Sequence, residues 1–125
     1  MKPDIFALYL PQYYETEYNN KWWGEGYTDW IACKNAKSLY KSHMQPREPL
    51  DDNYYDLTDV KSIERQAKMA KEYSIDGFAI YHYYSNGSIL LEKPIDILLN
   101  NDQIDIKYFL YWANESWKKT WYGDD

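Results

Sequence analysis

Glu115, within Trp112-Ala113-Asn114-Glu115-Ser116-Trp117, is the carboxylate of this 125-residue chain best placed to do chemistry. It follows a short apolar run, and aromatic walls would desolvate it and raise its pKa, as a general acid requires. Cleaving a glycosidic bond commonly takes two such groups, about 5–5.5 Å apart for retention or about 6.5–9.5 Å for inversion. The bland alternative is a glutamate bonded to a backbone amide at a helix cap or strand rim. Glu25 and Asp29 stand four apart in Trp22-Trp23-Gly24-Glu25-Gly26-Tyr27-Thr28-Asp29-Trp30. Either could bond hydroxyls or act as the second carboxylate; equally, Asp29 could cap a following helix while Glu25 is solvated. His82, between Tyr81 and Tyr83, could be a base, a hydroxyl donor or a structural hydrogen-bonding group. Strand alternation would point it away from both tyrosines. Tyr9 and Gln12 close an earlier run, and the Gln12 amide offers donor and acceptor together. Among the tryptophans, Trp23 and Trp112 are expected to pack, Trp22 and Trp117 to face a ligand, and Trp30 to join Glu25 and Asp29 near it. Asn114 completes the candidate set. The two histidines, His43 and His82, have no ligand spacing, so no metal site is expected.

The elements that must position these residues are three short apolar runs, each ending in such a cluster. They are Ile5-Phe6-Ala7-Leu8-Tyr9-Leu10, Gly77-Phe78-Ala79-Ile80 and Lys107-Tyr108-Phe109-Leu110-Tyr111. Near-continuous apolar runs read as parallel strands buried on both faces. In parallel α/β folds the carboxyl ends of the strands line the ligand site. Flat stacking surfaces beside hydrogen-bonding groups at all three ends suit a sugar. One helix is expected over 59–73, with Val60, Ile63, Ala67 and Ala70 on one face and Thr58 or Asp59 at its cap. A second is expected over 89–100, its stripe made of Ile89, Leu90, Ile95, Leu98 and Leu99. The stretch 11–57 is too long for an ordinary connection and too aromatic to be disordered. It is expected to be an ordered lid at the carboxyl ends, with a short helix through Ala36 and an extended piece over 45–50.

Composition narrows the partners. Aromatic residues make up 19%, with six Trp and fifteen Tyr against three Phe, more polar-tipped rings than packing alone needs. A net charge of −6 argues against a nucleic-acid partner. The single cysteine, Cys33, excludes an internal disulfide and fits a reducing, cytoplasmic setting. No stretch approaches a membrane span, and no signal peptide is recognisable. Pro11-Gln12 stands where a dinucleotide fold would carry its glycine-rich turn, and no phosphate loop or GxSxG elbow occurs, so no cofactor is expected.

Six blocks lie in register with one family. Ala7-Leu8-Tyr9-Leu10-Pro11-Gln12-Tyr13, the Trp22–Trp30 segment, His43-Met44-Gln45-Pro46, Tyr73-Ser74-Ile75-Asp76-Gly77-Phe78, Tyr81-His82-Tyr83 and Trp112–Trp117 together resemble the opening third of the WbsX family, also called the glycoside hydrolase family 99-like domain. The resemblance implies an α/β fold: the N-terminal portion of a (β/α)8 TIM-type barrel, with three parallel strands, two helices and a long first βα loop. Residues 1–125 would then be part of one barrel domain whose later strands lie beyond them. It also implies action at glycosidic bonds, by hydrolysis or transfer, in bacterial O-antigen, capsule or lipopolysaccharide metabolism. The partner would be a glycan or a nucleotide- or lipid-linked sugar, together with the remainder of the barrel. In the related hydrolases the reacting carboxylates lie on later strands. A non-catalytic glycan-binding module, or an inactive fragment, is the rival from another class. An unrelated metabolic enzyme on the same fold is the third reading.

Overall fold

The computed structural model describes residues 2–85 and 87–112. The chain divides into two compact units, one of residues 1–11 and 57–125 and the other Gln12–Asp56.

The first unit is a sheet with helices. Strands β1 (Phe6–Tyr9), β2 (Gly77–Ser85) and β4 (Lys107–Trp112) are parallel with β2 in the centre, and β3 (Ser88–Leu90) is a short antiparallel addition to the end of β2. Phe6 pairs with Gly77 and Gly77 with Lys107, and the β2–β4 register runs on to His82 opposite Trp112. Ile80, at the centre, is fully buried, with Phe78, Ala79, Ile63 and Leu57 around it in the core.

Helix α3 (Val60–Glu72) connects β1 to β2 and buries Ile63, Ala67 and Ala70, one face of a 3.6-residue repeat. The Asp59 carboxylate caps it by accepting from the Lys61 N–H at 3.1 Å. Its far end is a Schellman turn. Ser74 takes a left-handed φ of 62°, its N–H donates to the Lys71 carbonyl at 3.0 Å, and the Ile75 N–H reaches back to Ala70 at 2.8 Å.

The expected helix over 89–100 is corrected in its first part. Ile89 and Leu90 belong to β3, opposite Tyr84 and Tyr83, and α4 spans only Lys93–Asn100. Leu91, at φ 59°, breaks the two apart, and Pro94 fits the first helical turn because no N–H is needed there.

The second unit is ordered and holds the expected short helix running up to Ala36 as α2 (Asp29–Asn35). Beyond that expectation it has α1 (Glu17–Trp23) and a 3₁₀ turn at Leu50–Asp52, so the described residues contain four α-helices, α1 being the unexpected one. Thr16 Oγ1 caps α1, accepting from Asn19 N–H at 3.1 Å. Gly24 and Gly26 follow at φ 98° and 77°, conformations that a side chain would oppose. Glu15 and Asn20 tie that turn down: Glu15 accepts from the Asn20 amide at 2.7 Å and from Gly26 N–H at 3.1 Å, and Asn20 accepts from Tyr27 N–H at 3.1 Å.

Two substitutions test this frame by urea denaturation. Ser74→Gly relieves a left-handed residue and should raise stability by roughly 0.5–1 kcal/mol. Gly77→Ala should lower it by about 1–3 kcal/mol, because the new Cβ would meet the Phe6 ring at 2.4 Å and the Lys107 carbonyl at 2.5 Å. An unchanged unfolding midpoint in Gly77→Ala would mean that the strands separate there.

Candidate functional site

Side chains on paired parallel strands share a face when they share a register position, and ring contacts identify the two faces here. On one lie Tyr9, Phe78, Ile80, His82 and Trp112. This face meets α3: the Tyr9 hydroxyl donates to Gln66 Oε1 at 2.6 Å, and the Tyr9 ring lies 4.7 Å from that of Phe78. Tyr9 also lines a groove of about 290 Å³ with Gln66, Met69, Ala70, Tyr73, Ile75 and Phe78. On the other face are Phe6 and Phe109, 5.0 Å apart, and beyond them, toward the carboxyl ends, Tyr81, Tyr83 and Tyr111. Tyr81 lies 4.9 Å from Tyr83 and 5.4 Å from Tyr111, centroid to centroid. Three phenols from two adjacent strands thus gather on one face at the strand ends, with Tyr111 exposed, Tyr81 half-buried and Tyr83 buried. Tyr111 is not among the residues singled out from sequence; the β2–β4 register puts it opposite Tyr81.

His82 points away from Tyr81 and Tyr83, as alternation requires. Its ring sits 5.5 Å from Trp112, which also lies 5.8 Å from Tyr84. His82 Nδ1 is buried and has no hydrogen-bond partner among the described residues. A buried nitrogen left unsatisfied is costly, so it marks a place where an added donor or acceptor would be welcome.

In the second unit, Gln12 and Asp29 come together: the Gln12 amide donates to Asp29 Oδ1 at 2.8 Å. The residues that follow each of them also meet, Tyr13 with Trp30 at 4.5 Å. The Trp30 indole N–H donates to the Tyr55 carbonyl at 2.9 Å, and Trp30 packs edge-on to Tyr54 and Tyr55, so this tryptophan holds the unit's aromatic cluster together. Trp23 stacks on Tyr27 at 5.4 Å; Trp22, Trp23 and Glu25 are all exposed. Burial pushes the Asp29 carboxyl above the ordinary value of 3.8, against the lowering effect of the Gln12 bond and of its own backbone N–H. The Tyr13 and Tyr27 phenols are raised too, by burial first, then by the charge of Asp29, and then by Cys33. Both therefore remain protonated donors. Asn114, Glu115 and Trp117 lie outside the described residues, as does Trp121. Among the described residues no group of three or more His, Cys, Asp or Glu could hold a metal ion, and no helix is long and apolar enough to cross a membrane.

The strand ends of this parallel α/β sheet carry phenol, indole and imidazole groups, and comparison with known proteins gives the family. The family model described as "Glycosyltransferase WbsX" matches residues 5–125. The chain belongs to the WbsX glycosyltransferase family. It is also 37% identical over 119 residues to the uncharacterized protein WxcX of Xanthomonas campestris pv. campestris, in strain B100 and in strain ATCC 33913 alike. That similarity takes in 95% of the chain, and the chain spans 17% of the length of those relatives. No solved structure matches.

The environment of Asp29 has a measurable consequence. A carboxyl whose folded-state pKa lies above its unfolded one keeps its proton longer in the native state, so stability falls as pH rises from the unfolded value through the folded one. Asp29→Asn, which keeps an acceptor for Gln12, should be more stable than the parent chain at pH 7. The difference should close as pH falls toward 3.8. Urea midpoints across that range measure it; a variant less stable at pH 7 would show that the charge-assisted bond to Gln12 outweighs burial.

Proposed function

We propose that the chain forms the first strands of a (β/α)8 barrel that acts at glycosidic bonds, transferring or hydrolysing sugars in bacterial surface-polysaccharide metabolism. The observation that carries this reading is the cluster of Tyr81, Tyr83 and Tyr111 at the carboxyl ends of β2 and β4, on the face opposite the one that meets α3. In a barrel that face is the interior, and its carboxyl end is where substrate binds. Phenol rings there offer a flat apolar surface to sugar C–H groups and hydroxyls to sugar oxygens. The strand order β1-β2-β4, sequential among parallel strands, also fits a barrel. So does the exposure of apolar residues on the two outer strands, with Leu8 at 74% and Leu110 at 50%. His82 and Trp112 stand at the same strand ends but on the other face, the one that meets α3, and would offer an imidazole and an indole to a ligand only from that side.

Glu115 takes the role of acid, or of hydroxyl-gripping carboxylate, just beyond β4, with Asn114 and Trp117 beside it in sequence. Within the second unit, taken by itself, Trp22, Trp23, Glu25, Asp29 and Gln12 are the proposed sugar contacts. WbsX family membership supports the glycosyl chemistry.

Glycan binding to the chain, followed by saturation-transfer NMR, tests the phenol cluster. Tyr111→Ala should weaken binding about tenfold, near 1.4 kcal/mol, and Tyr111→Phe by less, since it keeps the ring. Equal affinity in both variants and the parent chain would make the cluster mere packing. Glu115→Gln should depress turnover or affinity with little change in the unfolding midpoint; if both activities persist, the glutamate is structural.

A further inference from the structure

Helix α3 carries more uncharged surface than the sheet covers. Its charged residues, Lys61, Glu64, Arg65, Lys68, Lys71 and Glu72, recur at three- and four-residue spacing and so share one face. Ile63, Ala67 and Ala70 are buried. Between these two faces runs a third row, Ser62, Gln66, Met69 and Tyr73, which follows helical periodicity and holds no charge. Met69 and Tyr73 in that row are 49% and 75% exposed. Gln66, Met69 and Tyr73 form one wall of the groove of about 290 Å³, and Tyr9 and Phe78 line it from the strands. Tyr9 belongs to β1, Phe78 to β2, and no described residue of β4 lines the groove, so it lies on the β1 side of α3.

That side is where the sheet is open. Among the described residues β1 pairs with β2 alone, and Leu8 on β1 is exposed. A parallel strand laid against the other edge of β1 brings a crossover helix with it, and right-handed crossovers set such helices on one face of a sheet. On the α3 face the place for that helix is the groove. The chain spans 17% of the length of the WxcX relatives, which therefore have ample further sequence to supply one.

We propose that the row Ser62, Gln66, Met69 and Tyr73 seats an amphipathic helix from polypeptide beyond these 125 residues, the helix that accompanies the parallel strand beside β1. This rests on the barrel reading above and adds to it the surface that holds the rest of the barrel. Ala70, at the groove floor, lets the two helices approach to the usual interaxial distance of about 8–10 Å. Met69 and Tyr73 bury apolar area against the occupant's apolar stripe. Gln66 accepts from the Tyr9 hydroxyl through Oε1, which leaves its NH₂ group to donate to the incoming helix.

The test mixes the 125-residue chain, carrying ¹³C at its methionine methyl groups, with the part of Xanthomonas WxcX that follows the matched residues. The chain has three methionines, Met1, Met44 and Met69, so the Met69 signal is assigned by substitution. The two polypeptides should associate with a shift of the Met69 signal. Met69→Lys and Tyr73→Lys should each weaken association at least about tenfold, while Met69→Leu, which keeps the apolar surface, binds like the parent chain. Both lysine variants change exposed positions and should leave the urea midpoint of the chain alone unchanged. Association that leaves the Met69 signal unmoved overturns the proposal, whatever the variants do. Association that Leu8→Lys abolishes and the two groove variants spare also overturns it, and leaves the barrel reading standing. A chain that dimerises alone and becomes monomeric in Met69→Lys assigns the groove to a second copy, which overturns it too. If the polypeptides do not associate at all, the barrel reading fails and this proposal fails with it.

Discussion

The start of β2 sets the register on which the strand unit depends. Asp76 holds Ile5 from two sides: its N–H donates to the Ile5 carbonyl at 2.8 Å, and its carboxylate accepts from the Ile5 N–H at 2.8 Å. At the next residue the chain passes so close to the Phe6 ring and the Lys107 carbonyl that only glycine fits, and Gly77 pairs with both neighbouring strands. A slip of one residue would turn every side chain of a strand to the other face. Tyr111 would then leave Tyr81, and Trp112 would leave His82. The groups at the carboxyl ends are thus aligned by contacts at the amino ends.

The second unit is organised differently. Its helices are short, seven residues each, and neither buries a side chain fully, so packing on a hydrophobic stripe does not explain them. Local hydrogen bonds and an aromatic cluster do. Glu15 and Asn20 fix the glycine turn after α1, and the Trp30 indole ties α2 to Tyr55 across 25 residues. The Gln12–Asp29 and Tyr13–Trp30 contacts form a polar pair beside an aromatic pair, so the aromatic packing that orders the unit also keeps water from much of the Asp29 carboxyl. One arrangement accounts for both the local order and the raised pKa.

The three parallel strands and α3 were legible because their signals are local: continuous apolar runs, one helical stripe and a capping aspartate. Residues 89–100 misled because Ile89 and Leu90 extend the stripe of α4 as well as they fill a strand; short apolar runs do not distinguish the two. The deciding features were the turn at Gly87, φ 80°, and the cross-strand partners Tyr83 and Tyr84. Helix α1 has no apolar stripe, yet Thr16 before it and Gly24 after it were available as cap signals. Tyr9 and Tyr111 illustrate a different limit. Nothing adjacent to Tyr9 announces Gln66, 57 residues away, and Tyr111 joins Tyr81 only through the β2–β4 register. Alternation tells which residues of one strand share a face, but not which face of its neighbour they meet.

The choice between phenylalanine and tyrosine follows the same geometry. All three phenylalanines, Phe6, Phe78 and Phe109, lie in the body of the parallel sheet; Phe78 is buried, where a hydroxyl would need a partner among apolar neighbours, while Phe6 is half-buried and Phe109 exposed. Tyr9, also in the sheet, meets that need through Gln66, and Tyr108 is only half-buried. From position 81 of β2 and position 111 of β4 onward, the rings carry hydroxyls or ring nitrogens. Apolar burial would have been served equally well by phenylalanine at those ends. Placing phenols there adds hydrogen-bonding groups without giving up flat apolar area.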